Sequence, residues 1–516
     1  MQFPRGSSTK KISHALSSSR NKRNGGFGPE NARIAMTGGA VVVVIMFLMG
    51  NMLFFSNPAV PTINSSTNGI ANSDGMSSAS ASASIIRKQP LPAIPEPSQK
   101  HHLIFSTSCH FKQDWQSYVF FFQAMMVRQP GDVTRIVSGC SDEDRAALEA
   151  FHKEKIAIMS DRFHVHFTPD YSKETGANFQ LTKYWNKPFG VRHWLEHTFG
   201  YSPENMLTDS DDDVVILVDP DMLLQRPIVN DFTSDPINMW TAYFQSNPDK
   251  IRHKVEHGKP ISQIYGFGKS WLFSVKNELA RIVGEDSPVH QISMGDAARF
   301  YPAGPPYMAT TRDMYNIALH WTIFTPKIFE ITPIFMSEMH GYSMAAAHLG
   351  MPHQLAKGFM TSNVVMTQQE GWDFLDKVDP KDICDMEKDL PNRPLVIHFC
   401  QRYSIGEFFQ SKYKTHHEIL TCDHPLLEQP PKDAVEKFDY SHYGNGDIKK
   451  WPANSRDKPR HGFMVCKIMD ALNGAAIWFK DKHCPDGANY NKVWNFFRDE
   501  GDDIEKKKRK LAGKKT

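Results

Sequence analysis

The apolar positions of the chain fall into two patterns. Residues 34–55 form one long, mostly apolar stretch without a charged residue. Beyond His101, short runs of β-branched and aliphatic residues, such as "VVILV" at 214–218, alternate with longer segments that have the apolar density of helices packed on a sheet. Strands that alternate with helices favour an α/β domain with a mostly parallel sheet and helices on both faces. The ligands of such a sheet collect at the carboxyl ends of its strands.

The predicted strands are short, and the first three are each followed by a predicted helix. The strands are "HHLIFSTSC", "VTRIVSGC", "FHVHFTP", "DVVILVD" and, late in the chain, "PLVIHFC". The helices are "WQSYVFFFQAMMVR", "DEDRAALEAFHKEK" and "KPFGVRHWLEHTF". Between about residues 227 and 391 the pattern is less regular, and its aromatic and Gly/Pro-rich segments predict substrate loops around the sheet.

The apolar stretch at 34–55 predicts a membrane anchor. It has no charged side chain over 22 residues, which is long enough for the roughly 30 Å hydrocarbon core of a bilayer. Seven Lys and Arg residues precede it, and none follows until Arg87. The positive-inside rule therefore places the N-terminus in the cytosol. A cleaved signal peptide is the competing interpretation, which fits less well because the run is long and starts late.

The anchor divides the chain into five predicted parts. They are a cytosolic basic tail at 1–33, the anchor at 34–55, a Ser/Pro-rich stem at 56–100, a luminal domain at 101–490 and a charged tail at 491–516. The terminal lysines resemble a nuclear localisation run. Behind a membrane anchor, a solvated tail is the better interpretation.

Charge and cysteine content limit the classes of protein. The formal net charge is +2, which gives no argument for nucleic-acid binding. All seven cysteines follow the anchor, in a compartment that would be oxidising, so disulfides are permitted. The odd count leaves at least one cysteine unpaired, and the pairing cannot be read from the sequence. No C-x-x-C pair occurs, so a cysteine-based zinc site is not expected.

Asp219-Pro220-Asp221 ends the apolar run at 214–218 and is the first candidate site. Alternate residues of an extended segment point the same way, so both carboxylates can converge on one cation. A hard divalent ion, Mn²⁺ or Mg²⁺, prefers such ligands and completes its shell with substrate phosphates. The alternative is a turn in which each aspartate caps backbone N–H groups.

Other polar side chains lie close to predicted strand ends or helix starts. His398 ends the late strand and could supply a nitrogen ligand, or could be a core histidine bonded to a carbonyl. Arg402 follows it and could meet a phosphate or a surface acid. Glu338 stands among apolar and small residues. It could act as a general base on an acceptor hydroxyl, orient the sugar, or lie on a helix surface.

Three further residues are candidate contacts for an anionic donor. Lys187 and Arg192 flank a turn into a predicted helix, where each could also be an ordinary solvated base. Thr107 lies in the polar turn after the first strand and is predicted to contact the donor as well. No nucleophilic Ser/His/Asp arrangement and no phosphate-binding Gly-rich loop stands out.

An ordered set of motifs carries a family resemblance over roughly His101 to Pro425. In sequence order these are "FKQDWQ", "IVSGCSDED", "NKPFGVRHWLEH", "VILVDPDMLLQRPI", "QIYGFGKSW", "EMHGYSMAAAHLGMPHQL" and "PLVIHFCQRY". With them the chain resembles the plant and algal peptidyl O-glycosyltransferases, namely the hydroxyproline O-arabinosyltransferases and the related peptidyl-serine α-galactosyltransferase. Single motifs are not specific, whereas their order and spacing together are.

The resemblance implies a GT-A-like fold, a UDP-sugar donor and a divalent metal. Asp219 and Asp221 match the family's acid-x-acid position, His398 matches a late histidine, and Glu338 matches the glutamate of an "E-M-x-G-Y" segment. "HFCQRY" departs from the usual continuation in the arabinosyltransferases, and the stem is unusually long. These departures leave the sugar and the acceptor, hydroxyproline or serine, open.

The expected protein is a Golgi or ER–Golgi type II membrane glycosyltransferase with a luminal catalytic domain. It would move arabinose or galactose from a UDP-sugar to hydroxyproline or serine of secreted or cell-wall glycoproteins, with a metal on Asp219, Asp221 and His398. The first rival class is a non-catalytic, membrane-tethered glycan or cargo-binding protein. A metal-dependent nucleotidyl- or phosphotransferase and a nuclear nucleic-acid-binding protein are weaker alternatives.

Overall fold

The fold is that of a computed structural model, which describes residues 99–172, 182–233, 254–365, 370–386, 388, 390, 392–442 and 447–499. The predicted anchor at 34–55, nearly all of the predicted stem and the C-terminal lysines lie outside the described residues. Within the described part, one helix, Asp457–His483, is long and apolar enough to cross a membrane. Since 83% of the most apolar part of this helix is buried inside the fold, it is a core helix.

A seven-stranded sheet forms the centre of the domain, in the order β3-β2-β1-β4-β7-β6-β8. Strands β3, β2, β1 and β4 are parallel, β7 runs antiparallel to both β4 and β6, and β8 is parallel to β6. The sheet is therefore mostly parallel, as the sequence predicts. The strands are β1 His101–Ser108, β2 Asp132–Ser138, β3 Phe163–Thr168, β4 Val214–Val218, β6 Ile261–Ile264, β7 Ala303–Thr310 and β8 Gln354–Ala356.

Strand β4 has no polar residue because both of its faces are covered. Its side chains alternate between two hydrophobic clusters, with Val214, Ile216 and Val218 in one and Val215 and Leu217 in the other. All five are fully buried. A strand with helices on both sides is expected to read as a continuous apolar run.

Helices cover both faces of the sheet, as predicted. Helices α1 and α10 contribute to the first cluster, and α3, α7 and α8 to the second. A 3₁₀ turn at Lys183–Trp185 leads into α3. The helices are α1 Phe111–Val127, α2 Asp142–Phe151, α3 Asn186–Phe199, α4 Ser270–Phe273, α5 Leu279–Val283, α6 Met294–Phe300, α7 Thr311–Ile331, α8 Ser337–His348, α9 Ala434–Lys437 and α10 Asp457–His483.

The structure corrects two expectations, one about the late strand and one about the segment at 227–391. The late strand β10, Val396–His398, pairs antiparallel with β5, Met222–Leu224, and parallel with β9, Met360–Thr361, so it lies in a second, three-stranded sheet and does not join the main sheet. The segment at 227–391 was expected to form loops, yet it supplies β6, β7, β8, α7 and α8. Its periodicity is obscured because the strands are short and α7 and α8 carry polar residues at buried positions, such as Asp313, Glu338 and His340.

The remaining strands form three small pairs. They are β11 Arg402–Ile405 with β12 Phe408–Ser411, β13 Leu426–Leu427 with β16 Val493–Trp494, and β14 Tyr440–His442 with β15 Ile448–Lys450. Three disulfides join Cys109 to Cys140, Cys384 to Cys466 and Cys422 to Cys484. Cys400 is unpaired, in agreement with the odd count.

The close packing of α7 against α8 can be tested at Gly341. A Cβ there would overlap the Thr325 hydroxyl and come within 3.1 Å of Trp321 Cδ1. We expect Gly341→Ala to lower the free energy of unfolding by about 1–3 kcal/mol in urea denaturation, because the two helices cannot separate without losing contacts. The matched control is Gly295→Ala in α6, where a Cβ would meet nothing closer than Ser293 Oγ at 3.6 Å. Equal losses for both variants would contradict the tight contact.

Candidate active site

The two aspartates of the D-P-D segment lie at the carboxyl end of β4, between the main sheet and the second sheet. Because β5 begins at Met222, directly after Asp221, the pairing of β5 with β10 places His398 opposite Met222. The Phe399 N–H donates to the Asp221 carbonyl at 3.0 Å and closes this corner. The same pairing holds His398 Nε2 at 3.1 Å from Asp221 Oδ1.

Asp219, Asp221 and His398 converge. One ligand atom from each lies within 4.8 Å of the others, and among the described residues this is the one group of three or more His, Cys, Asp or Glu side chains that does so. Asp221 and His398 are buried and Asp219 is half-buried. Two carboxylates and an imidazole are a donor set that suits Mn²⁺, and the carboxylates alone suit Mg²⁺. The residues present therefore fit a divalent cation.

Two lysines balance the charge of the aspartates. Lys412 Nζ forms an ion pair with Asp221 Oδ2, and Lys187 Nζ lies 2.8 Å from Asp219 Oδ1. Burial would raise the pKa of Asp221, but the charges of Lys412 and His398 outweigh it and hold this pKa far below its ordinary value. Burial would lower the pKa of Lys187, but Asp219 and Glu338 outweigh it and keep the pKa raised. Both lysines are therefore charged.

The pKa of His398 is also set by burial on one side and neighbouring charges on the other. Burial would lower the pKa of His398, and the neighbouring Cys400 and Asp221 outweigh this effect and raise it. A protonated imidazole has no lone pair for a metal. Metal binding through Nε2 must therefore release a proton and weaken as the pH falls.

Glu338 lies in the first turn of α8 and is fixed by its own backbone. Its carbonyl accepts a hydrogen bond of 2.7 Å from Trp321 Nε1, and its Oε2 lies 3.6 Å from Lys187 Nζ. Its Oε1 is buried without a hydrogen-bond partner. Burial raises the pKa of Glu338 to about 7, against the opposing charge of Lys187. A carboxyl group with such a pKa can exchange a proton near neutral pH.

The structure does not bring every predicted residue to this cluster. The hydroxyl of Thr107 is buried, donates to the Ile136 carbonyl at 3.4 Å and accepts from Arg135 Nε at 3.0 Å, so it has no hydrogen left for a donor. The guanidinium of Arg192 bonds Glu196 at 2.7 Å and Thr322 at 3.5 Å, contacts that join α3 to α7. Both residues thus make structural contacts, and their contacts with a donor stay predictions.

Two predicted or missed residues lie on the β11–β12 hairpin. Arg402 begins β11 in register with Ser411, the last residue of β12, and its contact with a donor stays a prediction. Lys412 directly follows Ser411, and the sequence analysis missed it. The available signal was weak, since a lysine after "EFFQS" reads as an ordinary surface base that ends a strand. Only the pairing of distant strands brings it to Asp221, 191 residues earlier.

Comparison with known proteins gives two curated relatives. Each is named a peptidyl serine α-galactosyltransferase. That of Arabidopsis thaliana is 27% identical over 51% of this chain and 27% of its own length, and that of Chlamydomonas reinhardtii is 32% identical over 74% of this chain and 46% of its own length. The chain thus spans less than half the length of either relative. No protein-family model matches it.

Both relatives of the chain are glycosyltransferases by name. More particularly, they confirm its resemblance to the plant and algal peptidyl glycosyltransferases.

Solved structures give a slighter likeness. The galactosyltransferase LgtC, in complex with donor and acceptor sugar analogs, is 11% identical with a TM-score of 0.30 over 58% of this chain and 87% of its own. The apo structure of the bifunctional glycosyltransferase WbbM is 6% identical with a TM-score of 0.31 over 60% of this chain and 47% of its own. At these TM-scores we draw nothing further from them.

The raised pKa of Glu338 predicts a pH dependence of stability. The unfolded carboxyl has a pKa of 4.5 and the folded one of about 7, so between these values the folded state binds more protons. Stability contributed by this group must fall as the pH rises from 4.5 to 7. Relative to Glu338→Gln, the wild type should lose about 1–3 kcal/mol across this range in urea denaturation. Glu330→Gln, on the exposed side of α7, is the control. A constant difference between wild type and Glu338→Gln would contradict the raised pKa.

Lys412 is predicted to stabilise the fold through Asp221. Lys412→Met leaves a buried carboxylate with His398 as its remaining partner, and we expect a loss of about 3–5 kcal/mol in the free energy of unfolding. Added Mn²⁺ should recover part of this loss, because it supplies the missing positive charge. The control is Lys414→Met, two residues further on, whose ammonium lies over the Phe496 ring at 5.5 Å. The idea fails if both variants lose the same stability and neither responds to Mn²⁺.

Proposed function

We propose that the chain transfers a sugar from a UDP-sugar donor to a serine or hydroxyproline hydroxyl of secreted or cell-wall glycoproteins, with Mn²⁺ or Mg²⁺. The observation that carries this proposal is the convergence of Asp219, Asp221 and His398 at the carboxyl end of β4. The names of the relatives favour galactose as the sugar and serine as the acceptor. Arabinose and hydroxyproline are the alternatives that the sequence motifs keep open.

Asp219, Asp221 and His398 would hold the cation. When bound, it would neutralise the negative charge that develops on the diphosphate as the sugar leaves. The chain's own contribution is to fix the two carboxylates and the imidazole before the substrate arrives, through the pairing of β5 with β10. Ligands placed in advance need no reorganisation during the reaction.

The lysines supply the rest of the electrostatics. Lys187 and Lys412 already neutralise Asp219 and Asp221, so a divalent cation would give the cluster an excess of positive charge. A diphosphate is the natural balance for that excess. We propose that both ammonium groups then contact the diphosphate of the donor. For Lys187 this agrees with the contact predicted from the sequence.

Glu338 is proposed to contact the sugar or the acceptor hydroxyl. Its Oε1 is buried without a partner while Oε2 faces Lys187, so one oxygen is available to a substrate. A pKa of about 7 suits a group that accepts a proton at neutral pH. If transfer inverts the sugar, Glu338 acts as the base. If transfer retains the configuration, it orients the substrate.

A type II anchor in the Golgi or ER–Golgi membrane, with the catalytic domain in the lumen, completes the proposal. Its support is the apolar stretch at 34–55 with basic residues before it. The three disulfides among the described residues also fit an oxidising compartment.

The test is a transfer assay with the full-length chain, using UDP-galactose and UDP-arabinose as donors and serine-rich and hydroxyproline-rich peptides as acceptors. We expect Mn²⁺-dependent glycosylation of one peptide class from one donor. UDP release and the increase in the mass of the peptide measure the reaction. Asp221→Asn should lower kcat by about a hundredfold or more, because it removes a ligand of the cation.

The control for the transfer assay is Asp296→Asn, a half-buried residue in the first turn of α6 whose carboxylate accepts from the hydroxyl of the N-cap Ser293, and it should leave kcat unchanged. Donor binding without transfer to any acceptor would contradict the proposal and favour a tethered glycan-binding protein.

A further inference from the structure

Three histidines come together at the edge of the main sheet, on the strand β3 and the helix α3. His193 and His197 are four residues apart on α3, so they lie on the same face of the helix. His166 projects from β3, and its Nε2 lies 2.9 Å from His193 Nδ1. The ring centroids of His193 and His197 are 3.8 Å apart, and those of His166 and His197 are 6.2 Å apart.

We propose that His166, His193 and His197 bind a transition-metal ion of the Zn²⁺ class, at a site separate from Asp219, Asp221 and His398. Imidazole nitrogens suit Zn²⁺, Cu²⁺ and Ni²⁺ better than the Mn²⁺ or Mg²⁺ that carboxylates favour. Three histidines leave one position of a tetrahedral shell for water. The two sites would thus take different classes of ion.

The protonation of the rings favours metal binding. Burial, and then the neighbouring His193 and His197, lower the pKa of His166 to about 4. Burial and His197 also lower the pKa of His193. A neutral imidazole keeps one nitrogen lone pair for an ion, and the lowered pKa values favour that form.

The hydrogen-bond pattern assigns the available nitrogens. One hydrogen lies between His166 Nε2 and His193 Nδ1. If this hydrogen moves to the other nitrogen of the ring that carries it, both Nε2 and Nδ1 have a lone pair for an ion. Zinc–nitrogen bonds of about 2.0–2.1 Å in a tetrahedral shell put two nitrogens about 3.3 Å apart, so these two must separate by only a few tenths of an ångström.

His197 completes the site. Its Nδ1 lies 2.8 Å from the His193 carbonyl, which can only accept, so Nδ1 carries the hydrogen and Nε2 keeps its lone pair. The ring is exposed. The ligand nitrogens of the three rings do not yet lie within 4.8 Å of one another, so the His197 ring must give up its bond to the His193 carbonyl and turn to bring Nε2 to the other two nitrogens.

The surrounding charges permit a cation. Arg145 lies close enough to His166 to lower its pKa, but its Nε pairs with Glu149 at 2.9 Å, so the two charges compensate. Glu196 precedes His197 and raises the pKa of His193, but it pairs with Arg192 at 2.7 Å, so these two charges also compensate. A bound ion would join the edge strand β3 to α3, the helix whose first turn carries Lys187.

The experiment measures Zn²⁺ binding to the full-length chain, purified without a histidine tag. The chain carries Asp221→Asn so that the first site is weakened. We expect one Zn²⁺ per chain after dialysis, measured by elemental analysis. The further change His193→Gln with His197→Gln should raise the Kd for Zn²⁺ by about a hundredfold or more. His164→Gln, at the exposed neighbour on β3, removes one histidine without touching the three and should leave the Kd unchanged.

Equal Zn²⁺ affinity with and without the His193 and His197 changes would overturn the proposal. Should Asp221→Asn fail to fold, the same pair of changes is made in the otherwise unchanged chain and followed by Cu²⁺ electron paramagnetic resonance. Coupling to three nitrogens, lost in the double variant, supports the site, whereas coupling to one nitrogen in both proteins contradicts it. Neither outcome depends on the proposed sugar transfer.

Discussion

The pairing of β5 with β10 is the constraint on which the candidate active site depends. β5 begins one residue after Asp221, so the strand that pairs with β5 lies next to the end of β4. The partner is β10, whose last residue is His398, and the β11–β12 hairpin that follows brings Lys412 to the same carboxylate. A break in this small sheet would separate Asp221 from both partners and leave a buried charge uncompensated, which proteins rarely tolerate.

Charge balance explains why the cluster is stable before any cation binds. Asp219 and Asp221 are close enough to repel each other, and each is matched to its own lysine. Lys187 lies in the first turn of α3, and Lys412 directly follows β12. A divalent ion and a diphosphate would enter as a pair of opposite charges, so the balance is kept when both bind together.

Much of the fold and the centre of the site could be predicted from the sequence. The short apolar runs and the helices after them gave β1 to β4 and α1 to α3 because local periodicity determines such elements. The D-P-D segment and His398 could be picked out as polar residues at the ends of apolar strands. Lys412 could not be picked out, since only the β11–β12 hairpin and the second sheet bring it to its partner Asp221. Thr107 and Arg192 show that a residue type suited to a donor can also make structural bonds, which the sequence does not reveal.

The order of the site residues along the chain has a consequence for how the protein is made. Asp221 and His398 are 177 residues apart, with β6 to β9, α7 and α8 between them. During synthesis the parallel strands β1 to β4 emerge first and can pair through near neighbours, while the two aspartates still lack His398 and Lys412. The site is therefore completed late, by contacts of high sequence separation, which form slowly. A nascent chain that stops short of the β11–β12 hairpin would hold Asp221 at the end of its central strand without Lys412, whereas Lys187, the partner of Asp219, is already present.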